Sequence, residues 1–161
     1  MIRSHDTATF PLPLIRRATA MDISAVVAIE KEAFKDPWNQ EVLLEALGYY
    51  PTTFFVAVSE GVIAGFVFGA PEDTGEAIYG HICNLAVSSR YQRRGIARLL
   101  VNRLEQQFAI DMATAVQLEV RVSNTAAQKF YHRMRYRDMI IIDRYYANGE
   151  DAILMMKEFR F

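Results

Sequence analysis

Apolar residues recur along this chain in two rhythms, every second residue in some stretches and every third or fourth in others. The clearest stretch is YQRRGIARLLVNRLEQQF, Tyr91 to Phe108, in which Ile96, Leu99, Leu100 and Leu104 share one face of an amphipathic helix. Upstream, PLIRRAT reads as a short strand. Asp22 then stands where it can cap a helix with inner positions Ile23, Val26, Val27, Glu30 and Phe34, of which Glu30 is the polar exception. After a loop containing Asp36-Pro37-Trp38, Asn39 caps a second helix with Val42, Leu43, Leu44 and Leu47 inward and Gly48 as its stop. TTFFVAVSEGVIAGFVFGAP gives two strands joined as a hairpin across Glu60-Gly61, and a longer strand spans about Glu76 to Val87.

Beyond the arginine-led helix, AVQLEVRV alternates as a half-buried strand, and Asn124 caps a short helix through TAAQKFYHRM. YRDMIIIDRYY and DAILMMKEF close the chain as a hairpin around Asn148-Gly149. The order β-α-α-β-β-β-α-β-α-β-β, with no repeat or linker, predicts one mixed α/β domain.

At 161 residues and 52% hydrophobic content, the chain suits a single core. Eighteen basic and nineteen acidic side chains leave a net charge of −1, which argues against a nucleic-acid or membrane-surface partner. The one cysteine, Cys83, and the scattered His5, His81 and His132 exclude a disulfide framework and predict no metal site, in keeping with a cytoplasmic protein. The opening MIRSHDTATFPLPL lacks the apolar core of a secretory signal, so residues 1–13 read as a flexible leader and residues 14–161 as the domain.

The arginines at the helix start raise an electrostatic question. A helix N-terminus carries about half a positive charge, so Arg93 and Arg94 are disfavoured there unless an anion is present. A strand, a glycine turn at Gly95 and a helix form such a site from backbone amides, and forked guanidinium donors suit phosphate oxygens. The stretch has neither a P-loop ending nor a three-glycine dinucleotide fingerprint, which disfavours ATP and NAD. A solvated basic helix end remains the alternative on this stretch alone.

Gln92-Arg93-Arg94-Gly95-Ile96-Ala97 resembles the Gln/Arg-x-x-Gly-x-Gly/Ala signature of the GNAT superfamily of acetyl-CoA-dependent N-acetyltransferases. Within it, the chain looks most like the RimI and NatA-type protein N-terminal acetyltransferases, through DPW, NLAVSSRYQRRGIARLL, LEVRVSNTAAQKFY and RYYANGEDAILM. The resemblance implies a mixed central sheet of about seven strands flanked by about four helices. It also implies transfer of acetyl from acetyl-CoA to a protein's N-terminal α-amine, with a ribosomal protein as one possible acceptor. It places Gln92 through Arg98 (Arg93, Arg94, Gly95, Ile96 and Ala97 included) and Asn124 at the cofactor, and the backbone of Leu85 and Val87 at the thioester.

Amide formation needs a deprotonated amine and an acid for the leaving thiolate. By the same resemblance Glu119 is the base, directly or through water, and Tyr131 the acid, with Phe130 left to the core. Alternatively, Glu119 pairs with Arg121 and Tyr131 only packs. Cys83 raises an acetyl-cysteine route, but no basic partner stands at fixed spacing. Phe34, Pro37 and Trp38 on one side and Tyr145 and Tyr146 on the other are expected to flank the acceptor, although core packing accounts for Trp38 nearly as well. Acetylation of lysine or a small amine is the enzymatic alternative, and a non-catalytic acetyl-CoA-binding module the other. The oligomeric state is not legible.

Overall fold

The computed structural model describes residues 10–160. Seven strands, β1 (Leu14–Arg17), β2 (Phe54–Ser59), β3 (Val62–Asp73), β4 (Ile78–Val87), β5 (Ala115–Arg121), β6 (Arg137–Ile142) and β7 (Ala152–Glu158), form one sheet in the order β1-β2-β3-β4-β5-β7-β6. The helices are α1 (Ile23–Ala33), α2 (Gln40–Tyr49), α3 (Ile96–Ile110) and α4 (Thr125–Arg133). Element order and class match the expectation. Neighbouring strands run antiparallel except β4 and β5, which run parallel, so the sheet is mixed. Glu60 and Gly61 turn the β2–β3 hairpin with φ of 52° and 80°, the left-handed pair that matches strand twist.

Alternation along the strands builds two cores. Phe54, Val56, Phe66 and Phe68 lie with Ile23, Val26 and Ile29 of α1 and Leu43 of α2 on one face. Phe55, Val67, Val116 and Leu118 lie with Leu100, Leu104 and Phe108 of α3 and Tyr131 of α4 on the other. Two glycines bring α3 close to the sheet: a Cβ on Gly80 would overlap the Phe108 ring, and one on Gly69 would come within 2.7 Å of it. Register on β4 slips between Gly69↔Ile82 and Phe68↔Asn84, leaving Cys83 as an unpaired bulge residue.

Local details depart from the sequence reading. Asp22 does not cap α1; it closes a 3-10 turn over Ala20–Asp22, accepts from the Thr19 amide at 2.8 Å and pairs both oxygens with Arg16 at 2.7 and 2.9 Å. Gly48 does not stop α2, which runs one residue further to Tyr49, and of the four positions expected inward Val42 and Leu44 are exposed. The last two strands are joined by a loop over residues 143–151 rather than a tight turn, so β6 ends before Tyr145. Within the leader, residues 1–9 lie outside the described residues and residues 10–13 carry no regular structure. Among the described residues no helix is long and apolar enough to cross a membrane.

The two glycine environments predict opposite signs. Gly80→Ala should cost about 1–3 kcal/mol by overpacking against Phe108. Gly48→Ala, in a helix with no atom within 4 Å of the added carbon, should stabilise by about 0.5–1 kcal/mol. Chemical denaturation of both variants reads the two values.

Candidate functional site

β4 and β5 pair only from Tyr79–His81 against Ala115–Gln117, yet both strands continue, to Val87 and to Arg121. They therefore part, and the sheet opens into a gap flanked on one side by β3–β4 and on the other by β5–β7. The Ser88 amide donates to Ala64 O at 2.8 Å. Amides alternate along an antiparallel ladder, so those of Val87 and Leu85 turn away from β3 and toward the gap. The side chains of Leu85 and Val87 pack against the α3-side core.

At one mouth of this gap α3 begins. Gly95 is its N-cap at φ 79°, preceded by Arg93 at φ 62°. Leu99 donates to Gly95 O, and the first-turn amides of Ile96, Ala97 and Arg98 have neither a side-chain cap nor an acidic neighbour in the first turn. A Cβ on Gly95 meets nothing within 4 Å, so open space faces the free amides. Space plus unpaired donors fits a phosphate-bearing ligand. Gln92 ties this turn to β4 by donating to Val87 O at 3.1 Å. Arg94 lies over the rings of Tyr91 at 5.0 Å and Phe10 at 4.0 Å, while Arg93 and Arg98 are exposed. Asn124 caps α4 by accepting from Ala127 N at 3.1 Å.

The other face carries the titratable groups. Leu118 and Val120 point into the α3-side core, so Glu119 between them points to the α1–α2 side. There its Oε2 lies 2.6 Å from His81 Nε2, and His81 Nδ1 lies 2.9 Å from Glu72 Oε1. The hydrogen bond to Glu119 raises the His81 pKa, against the opposing effect of burial. Arg121, the sequence alternative for pairing with Glu119, instead bonds Glu150 and Asn148 and stacks on Tyr146 at 3.9 Å. Beside them, burial pushes the Cys83 thiol up to about 12, which keeps it a protonated, poor nucleophile.

Buried Glu30 of α1 is the most heavily bonded group of this face. Its carboxylate accepts from Trp38 N at 3.0 Å and from Asn84 Nδ2 at 2.8 and 2.9 Å, and burial raises its pKa. Trp38 packs edge-on against Phe68 at 6.2 Å, so its ring belongs to the core, whereas Phe34 and Pro37 beside it are exposed. Tyr145 and Tyr146 meet edge to face at 5.0 Å. Burial raises both phenols, Tyr146 to about 12, and the Glu119 and Glu72 carboxylates add to the rise at Tyr145.

Tyr131 is buried on the α3 side, its ring 5.0 Å from Phe130 and 5.4 Å from Tyr136, and burial raises its pKa. Phe130, assigned to the core from sequence, is the less buried of the two. No buried side-chain oxygen among the described residues lacks a partner, and no hydrogen bond involves the Tyr131 hydroxyl, so that oxygen keeps accessible surface. Glu119 and Tyr131 thus lie on opposite faces of the sheet.

The profile of the Acetyltransferase (GNAT) family fits residues 23–136. The chain belongs to this family. An uncharacterized N-acetyltransferase of Methanocaldococcus jannaschii is 42% identical over 146 residues, covering 90% of this chain and 91% of its own. The catalytic subunit of the N-terminal acetyltransferase B complex of Arabidopsis thaliana is 33% identical over 145 residues, covering 89% and 83%. The crystal structure of Ard1 from Thermoplasma volcanium superposes with a TM-score of 0.87 at 23% identity, over 94% of this chain and all of that one, and carries the fold.

Sequence reading missed His81, Glu72, Glu30 and Asn84. Only Glu30 left a signal, as a carboxylate within an apolar helix face; the others meet across strands whose register the sequence does not give. For a GNAT domain the Gly95 turn yields a direct test. Gly95→Leu should fill the space over the free amides and lower acetyl-CoA affinity by about tenfold or more. The left-handed backbone should cost about 1–2 kcal/mol in addition. Calorimetry on the folded variant, with unchanged affinity, would remove the phosphate assignment.

Proposed function

We infer that this chain transfers acetyl from acetyl-CoA directly to the α-amine at a protein's N-terminus. The observation that carries the reading is the opening between β4 and β5, with a carboxylate bonded to His81 on the α1–α2 face of the sheet and a protonated phenol on the α3 face. The relationship to an N-terminal acetyltransferase catalytic subunit at 33% identity supports the choice of amine. A ribosomal protein is one candidate acceptor, and the single cysteine suits a cytoplasmic setting.

Acetyl-CoA is the co-substrate. The amides of Ile96 to Arg98 hold its phosphates, and those of Leu85 and Val87 face the thioester oxygen as it gains charge. On the opposite face the acceptor enters between the Phe34–Pro37 loop and the Tyr145–Tyr146 pair. Its ammonium, with a pKa of about 7.7–8.0, gives a proton to Glu119, directly or through one water. The free amine attacks the carbonyl, and the tetrahedral intermediate expels the thiolate as Tyr131 gives it the phenolic proton. The second proton lost by the nitrogen returns Tyr131 to its acid form through water. Cys83 takes no part, because its thiol stays protonated.

Tyr131→Phe should lower kcat by roughly 10²-fold with little change in acetyl-CoA affinity. Because burial raises the Tyr131 pKa, the acid form persists to higher pH, and kcat should show no basic limb from it below the ordinary phenol value of about 10. A peptide with a free α-amine should be acetylated, and the same peptide blocked there but carrying an internal lysine should be a poor substrate. Equal reaction of the blocked peptide, read by mass spectrometry, would replace the N-terminal reading with the lysine one.

A further inference from the structure

One cation at the head of α3 is unlike its neighbours. Arg93 and Arg98 are exposed, whereas Arg94 is half-buried, and among the described residues its guanidinium makes no hydrogen bond and no ion pair. What it touches is two aromatic rings, Tyr91 at 5.0 Å and, closer, Phe10 at 4.0 Å. A ring face attracts the cation through its quadrupole and leaves the fork of N–H donors unspent. The next residue is Gly95, whose helix carries the uncapped amides.

The two rings reach Arg94 from different parts of the chain. Tyr91 ends the short turn over Ser89–Tyr91 and packs against the α3-side core, so the fold itself fixes it. Phe10 comes from the stretch before β1. Ile15 of β1 packs against the same core, and Pro11 and Pro13 lie between that anchor and the ring, two fixed φ angles in an arm of four residues. The arm buries little else: Leu12 is 89% exposed, Phe10 is 51% exposed, and Phe10 belongs to neither core. Its ring therefore adds little to the stability of the domain, and the consequence of the contact lies at the cation.

We propose that Phe10 is a positioning residue for the co-substrate, holding Arg94 beside Tyr91 with its guanidinium donors open to the phosphates of acetyl-CoA at the start of α3. This rests on the co-substrate half of the proposed function and is independent of which amine is acetylated. An arginine free in solvent loses rotamer freedom when it grips an anion, and that loss weakens binding. An arginine already held by two rings has lost it on folding, so the phosphate meets a donor fork in place.

Calorimetry of acetyl-CoA binding to the full chain reads the proposal without turnover. Phe10→Ala should weaken acetyl-CoA roughly threefold to tenfold, the range for immobilising one long side chain. Phe10→Trp should restore the affinity, since an indole holds a cation at least as well, and Phe10→Leu, apolar but without a ring face, should match Phe10→Ala. In an Arg94→Ala background Phe10→Ala should have no further effect, because no cation is left to hold. In turnover, Phe10→Ala should raise KM for acetyl-CoA and leave kcat and the peptide KM in place. Half-exposed Phe10 lies outside both cores, so these variants should fold. An unchanged affinity in Phe10→Ala, a Phe10→Leu that binds like the wild type, or a loss that persists in the Arg94→Ala background overturns the proposal. A wild-type chain that binds no acetyl-CoA would count against the proposed function instead.

Discussion

The early parting of β4 from β5 is the constraint on which the site depends. Parallel strands with continuous pairing would bury their backbone groups against each other and leave no passage through the sheet. Here pairing stops after His81 and Gln117, and the strands run on as the two walls of an opening. The bulge at Cys83 sits two residues past His81, the last β4 residue paired with β5, where a strand must bend away from its neighbour. Once the sheet is open, side-chain alternation does the sorting: odd positions of β5 such as Glu119 face α1 and α2, and even ones such as Leu118 and Val120 face α3 and α4. Two substrates can then meet from opposite sides without sharing a channel.

Keeping such a gap in shape requires ties across it, and the ties are polar. A buried carboxylate is costly unless its oxygens are bonded, and Glu30 is bonded at both, by the backbone of Trp38 and the amide of Asn84. One side chain thereby fixes the α1–α2 loop to the bulged strand. Arg121 makes the corresponding tie on the far wall, reaching Glu150 and Asn148 of the last loop and Asp36 of the α1–α2 loop at 3.9 Å while stacked on Tyr146. The α1–α2 side of the gap is thus bounded by two loops that are each anchored to a wall of the gap.

Element order was legible from sequence because it depends on local periodicity, which Ile96 to Phe108 or Ala115 to Arg121 display within a few residues. Caps were less so: Asp22 looks like an N-cap, but a bidentate Arg16 partner and the Thr19 amide claim both oxygens, and the preceding turn takes the capping position. Val42 and Leu44 match the helical period yet stay exposed, because α2 has only one face against the sheet and Leu43 occupies it. At the proposed site, Glu119 and Tyr131 stand in a linear motif that can be read along the chain. His81 was seen only as an isolated histidine, since its partners lie on β3 and β5, and no pattern along one strand reports a contact between three.

The two arginines at the head of α3 show how a charge conflict is settled locally. Arg94 places its guanidinium on the faces of Tyr91 and Phe10, where ring quadrupoles attract it, rather than over the helix amides. Arg93 takes a left-handed conformation and stays exposed, in water that screens its repulsion from the helix dipole. Neither cation therefore blocks the amides of Ile96, Ala97 and Arg98, and no acidic side chain in the first turn neutralises them. The positive end of the helix is left uncompensated by the protein itself. A phosphate-bearing ligand placed there would gain both the amide hydrogen bonds and the field of the flanking guanidinium groups, so the arrangement that is unfavourable in the free chain would become favourable with an anion in place.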